Sequence, residues 1–160
     1  MSESQYRFHR LPEFDYSTPG AYFITVCTNG KRNYFWESVA ALSERPLHRL
    51  PLTCYGWYAA EAIRDIPKFY PHASVDQSVV MPNHIHLLLL LDETLGQPGI
   101  PQIIRQMKAH VSKRVGFSIW QRSYYDHVIR GQKDYDMIWQ YIADNPVKWL
   151  TDRFYEPDEP

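Results

Sequence analysis

The pattern of apolar and polar positions along the chain predicts seven elements of secondary structure. Segments that are rich in β-branched and aromatic residues, or uniformly apolar, are typical of strands, and apolar residues three and four apart are typical of helices. In chain order we predict a strand at 21–28, a helix at 55–66 that Pro67 ends, strands at 73–80 and 84–91, a helix at 101–115, a strand at 124–129, and a helix at 133–145 that Pro146 stops.

This order of elements is that of a split β-α-β fold with one helix added at the end. It predicts an α+β domain of the ferredoxin-like class, with an antiparallel sheet and helices on one face. The extra C-terminal helix is left to lie across a sheet edge or on the other face. The 160 residues are expected to form one domain, 1–160, with an extended N-terminal arm at 1–19 and an acidic tail at 150–160.

Composition narrows the class of protein. Hydrophobic residues make up 44% of the chain and aromatic residues 15%, which indicates a folded domain rather than a disordered one. We expect no membrane segment and no signal peptide, and therefore a cytoplasmic protein, because the apolar stretches are short and the N-terminus is polar. Cys27 and Cys54 lack the spacing of a metal knuckle or a disulfide framework and fit reduced thiols.

Charge is distributed unevenly along the chain. The net charge of −1 argues against an indiscriminate nucleic-acid binder, yet seven cations and one acid between Pro101 and Lys133 give that segment +6. Such a segment suits either a phosphate-binding surface or an ordinary solvated helix face, and charge alone does not choose between them. The cations that we consider for phosphate binding are Arg105, Lys108, Lys113, Arg114, Arg122 and Arg130.

Two histidines stand at the start of the apolar run. His84 and His86 flank one aliphatic residue, so on a strand they point the same way, roughly 7 Å apart along the backbone. Two imidazoles on one face can bind one divalent cation from adjacent corners, although either could equally be a core or edge residue with a satisfied hydrogen bond. Asn83, preceded by Pro82, is typical of a turn that leads into the strand.

The last predicted helix carries Tyr141 and Asn145, whose spacing of four places them on one helical face. Tyr141 could be a core aromatic, and Asn145 a C-terminal cap. Alternatively, a metal held by His84, His86 and the Asn145 amide oxygen would polarise a phosphodiester beside Tyr141, whose phenol has a pKa near 10 and needs such help. These ligands suit Mg²⁺ or Mn²⁺.

Three segments of the sequence resemble a known family. PNHIHLLLLL, which begins at Pro82, resembles the HUH metal motif of single-tyrosine transposases. WQRSYYDHVIR from Trp120 and YIADNPVKW from Tyr141 are similar to the subgroup called REP-associated tyrosine transposases. The resemblance covers nearly the whole chain, roughly Tyr6 to Trp149, and the order and spacing of the segments make it specific.

The resemblance implies a ferredoxin-like fold, in agreement with the element order, and a partner that is single-stranded DNA, often folded into hairpins. It also implies a reaction. A tyrosine attacks the DNA backbone, forms a 5′-phosphotyrosine link and releases a 3′-hydroxyl, and the 3′-hydroxyl of a second strand then resolves the link. Some members of the superfamily are dimers and others act alone, so a homodimer is one expectation.

Carried onto this chain, the resemblance makes Tyr141 the nucleophile and His84 and His86 the metal ligands. Asn145 stands where some relatives carry a Gln as third ligand, and its side chain is one methylene shorter. His127 is expected to support the site or contact DNA, and Asn83 to support the ligands without touching the metal. Rival nucleophiles that do not match the family position are Tyr124, Tyr125 and Tyr135.

The basic segment gains a role from the resemblance, because its six cations would hold the phosphates of a hairpin stem or line the approach to the site. The N-terminal arm would contact bases beside the hairpin. Two other classes of function compete with a transposase. One is a domesticated hairpin-binding protein without turnover, and the other is a metal-dependent phosphohydrolase that uses activated water and does not need Tyr141.

Overall fold

The computed structural model describes residues 11–38, 50–92 and 97–157. Four strands form one sheet: β1 (Gly20–Cys27), β2 (Ala73–Val80), β3 (His84–Leu91) and β4 (Tyr125–Val128). Four α-helices accompany them: α1 (Cys54–Arg64), α2 (Ile66–Phe69), α3 (Ile100–Val115) and α4 (Gln132–Asp144).

The sheet has the strand order β2-β3-β1-β4, and every neighbouring pair is antiparallel. The predicted α+β, ferredoxin-like class is confirmed. The central strand β3 pairs with β1 along its whole length, so that Thr25 lies opposite His86 and Cys27 opposite His84. Directly opposed residues share one face of a sheet, and the two histidines therefore share a face with Phe23, Thr25 and Cys27.

Both faces of the sheet are covered. Helix α4 packs against β2 and β3 on the histidine face, where the Tyr141 ring contacts the His86 ring. The other face of β3, with Ile85, Leu87 and Leu89, is fully buried as well. Helix α1 packs against β2 and against α3. The C-terminal helix thus takes the second of the two positions that the sequence allowed.

The first helix differs from its prediction at its end. Its start is capped by Thr53, whose hydroxyl oxygen accepts a hydrogen bond from the Gly56 backbone N–H at 3.2 Å. The helix ends at Arg64, and Pro67 lies inside the first turn of α2 instead of stopping the helix. A proline is tolerated there because the first-turn N–H groups have no partner within a helix.

The described residues near both ends of the chain make more contacts with the domain than the sequence suggests. Residues 11–19 form turns rather than an extended arm, and the buried Tyr16 donates its hydroxyl hydrogen to Asp126 Oδ1 at 3.0 Å. Residues 1–10 of the predicted arm lie outside the described residues. In the acidic tail, the ring of Phe154 is buried, as is that of Trp149 just before it, so the described part of this segment packs against the domain.

Within the described ranges, no helix is both long enough and apolar enough to cross a membrane. The two cysteines are free, Cys27 in the core and Cys54 on the surface.

Candidate metal and tyrosine site

The site is built around a contact between two imidazoles. His84 and His86 are two residues apart on β3, and their Nε2 atoms lie 3.1 Å from each other. Both side chains are fully buried, at 0% and 1% exposure. The strand predicts that the two rings face the same way, and the structure adds that they meet through the same ring nitrogen.

Hydrogen bonds at the opposite ring nitrogens fix which atoms carry protons. The Asn83 amide nitrogen donates to the backbone oxygens of Lys31 and Phe154, at 3.2 and 2.6 Å. Its Oδ1 therefore faces Nδ1 of His84, at 2.8 Å. An amide oxygen only accepts, so His84 must carry its proton on Nδ1 and present a lone pair at Nε2.

His86 has a partner that allows either tautomer. Its Nδ1 lies 2.8 Å from the hydroxyl oxygen of Thr25, its cross-strand neighbour. A hydroxyl can donate or accept. If Thr25 donates, His86 keeps its proton on Nε2 and hydrogen-bonds His84. If Thr25 accepts, the proton sits on Nδ1, and both Nε2 lone pairs point into the same space, an arrangement that only a cation stabilises.

The spacing of the two nitrogens fits a metal ion. Metal–nitrogen bonds of about 2.0–2.1 Å at right angles place two nitrogens about 3.0 Å apart. The observed 3.1 Å between the Nε2 atoms of His84 and His86 matches adjacent corners of such a polyhedron. In the described part of the chain, no third His, Cys, Asp or Glu joins them. A further ligand from the described residues would therefore be of another kind.

Asn145 supplies a candidate for that ligand. It is the C-terminal cap of α4, and its side chain is 2% exposed. Its Nδ2 donates to the Tyr141 backbone oxygen at 3.3 Å, whereas its Oδ1 is buried and makes no hydrogen bond of regular geometry with a described residue. The same side chain contacts His84, whose pKa it raises, so the amide lies beside the imidazole pair. A cation at that place would give the buried oxygen a full partner.

Four aromatic rings lie within 6.1 Å of one of the two imidazoles, those of Phe23, Tyr141, Trp149 and Phe154. The Tyr141 ring lies 5.5 Å from the His86 ring and 6.0 Å from the Phe23 ring, measured between centroids. The Phe154 ring lies 4.7 Å from the His84 ring. Tyr141 is partly exposed, whereas Phe154 is buried. The tyrosine and the histidines thus meet within one chain, and neither imidazole reaches solvent in this conformation.

The surroundings favour neutral imidazoles. Burial, with a further contribution from the positive charge of Arg153, lowers the pKa of His86 to about 3. The pKa of His84 lies well below its usual range, mainly because the ring is buried and secondly because His86 and Arg153 disfavour a positive charge there. A contact with the Asn145 side chain acts in the opposite direction and raises this pKa. Neutral imidazole is the form that binds metals, so both rings are in the required state at neutral pH.

The two predicted supporting residues have different environments. Asn83 contacts His84 directly, as described above. His127, on β4, lies 2.8 Å through its Nε2 from the Asp134 carboxylate, in the first turn of α4. Asp134 also accepts from the Arg130 backbone N–H at 3.1 Å. This contact ties the start of the tyrosine helix to the sheet.

The six predicted DNA-binding cations fall into two groups. Arg105, Lys113, Arg122 and Arg130 are exposed. Lys108 donates to the backbone oxygens of Gln121 and Arg122, at 2.7 and 3.3 Å, and partial burial lowers its pKa. Arg114 pairs with Glu61 and stacks on the Tyr58 ring. Among the described residues, none of the six makes a hydrogen bond, ion pair or ring contact with the imidazole pair.

Sequence reasoning missed three residues around the site: Thr25, Phe154 and Arg153. A threonine in a β-rich strand has no distinguishing signal until the strand register is known. Phe154 and Arg153 belong to a segment that net charge alone marks as an acidic tail. The segment also carries Leu150, Phe154 and Tyr155, of which Phe154 is buried and the other two are exposed, so hydrophobicity alone did not identify the anchor.

Comparisons with known proteins agree with this fold. An uncharacterised Haemophilus influenzae protein is 30% identical over 170 residues, covering 91% of each chain. An Escherichia coli REP-associated tyrosine transposase is 37% identical over 71 residues, covering 44% of this chain and 42% of its own. The solved structure of a REP-associated tyrosine transposase bound to a REP hairpin superposes with a TM-score of 0.62 at 25% identity, over 88% of this chain and 74% of that one. No family model matches the sequence.

The fold and these likenesses are those of a transposase-like domain. Within that class, the chain is similar to REP-associated tyrosine transposases in both sequence and fold.

The depressed histidine pKa values predict an acid-sensitive fold. Below the ordinary histidine value of 6.5, the unfolded chain takes up protons that the folded chain does not, so stability falls with pH until His86 itself titrates at about 3. The cost is about 1.4 kcal/mol per pH unit for each imidazole. Between about pH 6.5 and 5, a His86→Gln variant should lose about 2 kcal/mol less than the wild type. Urea unfolding across this range measures the difference, and equal losses in the two proteins would contradict the assignment.

Proposed function

We propose that this protein cleaves and rejoins single-stranded DNA at hairpin-forming repeats through a covalent link to Tyr141. The observation that carries the proposal is the meeting of three groups in one chain. The Tyr141 ring lies 5.5 Å from that of His86, whose Nε2 is 3.1 Å from that of His84. The likeness to a REP-associated tyrosine transposase supports the substrate class, since that structure holds a REP hairpin.

The reaction exchanges one phosphate ester for another. The Tyr141 oxygen bonds to phosphorus as the phenol proton is released. The bond from phosphorus to the 3′ oxygen breaks, and that oxygen takes up a proton and leaves as a hydroxyl. The 5′ phosphate stays on the tyrosine until a 3′-hydroxyl attacks it and reverses these steps. Because one ester replaces another, no external energy source is needed.

We assign His84, His86 and Asn145 as the ligands of a divalent cation, Mg²⁺ or Mn²⁺. When bound, the cation would draw charge from the phosphate oxygens and so assist attack by a weak nucleophile. The protein's own part is to fix the ligands. Asn83 holds the His84 ring, Thr25 holds the His86 ring, and the end of α4 brings Asn145 to them.

Access to the pair requires one covering ring to move. Tyr141 is the most exposed of the four rings around the pair, so its rotation is the smallest change and also frees its oxygen for attack. The closed pair favours a second candidate function, a hairpin-binding protein without turnover.

In either case we propose that the exposed cations bind the hairpin phosphates. Arg105→Gln should therefore weaken hairpin binding in a gel-shift titration. Unchanged binding would remove Arg105 from the DNA surface.

Replacement of Tyr141 by Phe should abolish a covalent protein–DNA adduct. The substrate is a single-stranded oligonucleotide with a hairpin, incubated with Mn²⁺ and resolved on a denaturing gel. A label at the 3′ end should move with the protein, and a label at the 5′ end should appear on a shorter free fragment, because the tyrosine retains the 5′ phosphate.

Tyr135→Phe, on the same helix, is the matched control and should form the adduct normally. Cutting that persists in Tyr141→Phe would indicate a hydrolase that uses water. Hairpin binding by the wild type without any adduct would indicate the binding protein without turnover.

The hydroxyl of Thr25 should be needed for metal binding. Thr25→Val removes the acceptor that holds His86 in the tautomer with a bare Nε2, so Mn²⁺ affinity should fall by about tenfold or more. Thr25→Ser keeps the hydroxyl and should bind as the wild type does. Electron paramagnetic resonance of free Mn²⁺ during titration measures both, and equal affinity of the Val variant would contradict the assignment.

A further inference from the structure

Two cations lie against the ring of Phe154, which packs on the imidazole pair. The Arg153 guanidinium carbon lies 4.9 Å from the centre of the Phe154 ring, and Lys31 Nζ lies 5.8 Å from it. The same ring packs against His84, with centroids 4.7 Å apart. A single buried aromatic therefore joins both positive charges to the candidate metal pair.

The backbone at Lys31 is held in an unusual conformation. Its φ is 53°, in the left-handed region that residues other than glycine rarely adopt. Such conformations persist where surrounding contacts impose them, and they concentrate at functional positions. Here the Asn83 amide donates to the oxygens of Lys31 and Phe154 while its own oxygen faces His84. One side chain thus fixes the Lys31 backbone, the ring and an imidazole relative to one another.

Neither of the two cations is held in a close ion pair. Among the described residues, no carboxylate lies within ion-pair distance of Lys31 or Arg153. The neighbouring Asp152 accepts from the Phe154 backbone N–H at 2.7 Å; burial raises its pKa, whereas that hydrogen bond and the charge of Arg153 lower it. Arg153 is exposed and also acts on both histidines, where its charge disfavours protonation. An anion brought in by a ligand would meet two available cations.

We propose that Lys31 and Arg153 form a cradle for a backbone phosphate of single-stranded DNA, next to the phosphate that is cleaved. This inference rests on the proposed function. The cleaved phosphate must lie between Tyr141 and the imidazoles, whereas the cradle surrounds Phe154, whose ring is 4.7 Å from that of His84 and 6.4 Å from that of His86. A strand that crosses the pair would place a neighbouring phosphate there, where an arginine and a lysine can both contact its oxygens.

The groove next to Lys31 limits how many phosphates of the DNA strand the protein can bind. Lys31 also lines an open groove of about 720 Å³ together with Arg32 and Tyr34, but Glu37 and Glu156 line it too. The mixed charge of the groove does not favour a second phosphate. The cradle should therefore bind one phosphate and determine how far single-stranded DNA extends from the site.

Binding of labelled oligonucleotides to metal-free protein tests the cradle without requiring catalysis. The ligands are a hairpin with a single-stranded flank and the same hairpin without it, followed by fluorescence anisotropy at several salt concentrations. Lys31→Asn and Arg153→Gln should each weaken binding of the flanked hairpin by about tenfold, and lower the salt dependence by about 0.7 in a log–log plot. The bare hairpin should bind as before.

The variants are chosen to separate charge from folding. Asparagine tolerates the left-handed backbone, so Lys31→Asn removes the charge without adding strain, and Lys31→Arg should restore binding. Arg64→Gln, an exposed cation on α1, should change nothing. Unchanged affinity and salt dependence in Lys31→Asn and Arg153→Gln would overturn the cradle.

Oligonucleotides with single uncharged linkages can identify which phosphate of the flank binds to the cradle. Methylphosphonates are placed one at a time along the flank of the oligonucleotide. One position should weaken binding to the wild type and have no further effect in Arg153→Gln protein, because the contact is already lost. Equal sensitivity of both proteins at every position would also overturn the cradle. The covalent adduct assay reports on the proposed function separately, so the two can fail independently.

Discussion

The contact between the Nε2 atoms of His84 and His86 is the constraint on which the rest of the site depends. Two lone pairs cannot face each other at 3.1 Å without a proton or a cation between them. The Asn83 amide removes one freedom by holding the proton of His84 on the far nitrogen. Two states are then possible for His86: its Nε2 either donates a hydrogen bond to His84 or shares a metal ion with it. The Thr25 hydroxyl accommodates either state.

The sheet creates this constraint through its register. The pairing of β1 with β3 sets Thr25 opposite His86, and the turn before β3 sets Asn83 beside His84. Helix α4 covers the same face of the sheet and carries both Tyr141, which contacts His86, and Asn145 at its end. The Phe154 ring packs against His84. Burial keeps both imidazoles neutral, which benefits metal binding at the cost of stability in acid. The stability of the domain and the chemistry of the site are thus coupled through the same two side chains.

Sequence patterns predicted the parts that depend on local periodicity. The alternation of side chains along a strand placed His84 and His86 on one face, and helical spacing did the same for Tyr141 and Asn145. The family segments joined the two pairs. Thr25 could not be found in this way because its role arises from pairing with a strand 61 residues away. The predicted stop at Pro67 was wrong because a proline also suits the first turn of a new helix, and local sequence does not separate the two cases.

The central claim is that one cation is shared by the two Nε2 atoms and the Asn145 oxygen, within reach of Tyr141. Anomalous diffraction from crystals soaked in Mn²⁺ tests it most directly. We expect an anomalous peak within about 2.3 Å of the Nε2 atoms of His84 and His86 and of the Asn145 amide oxygen. The Tyr141 ring should be displaced or in contact with the bound ion's ligands. A peak elsewhere on the protein, with the imidazoles still in direct contact at their present spacing, would contradict it.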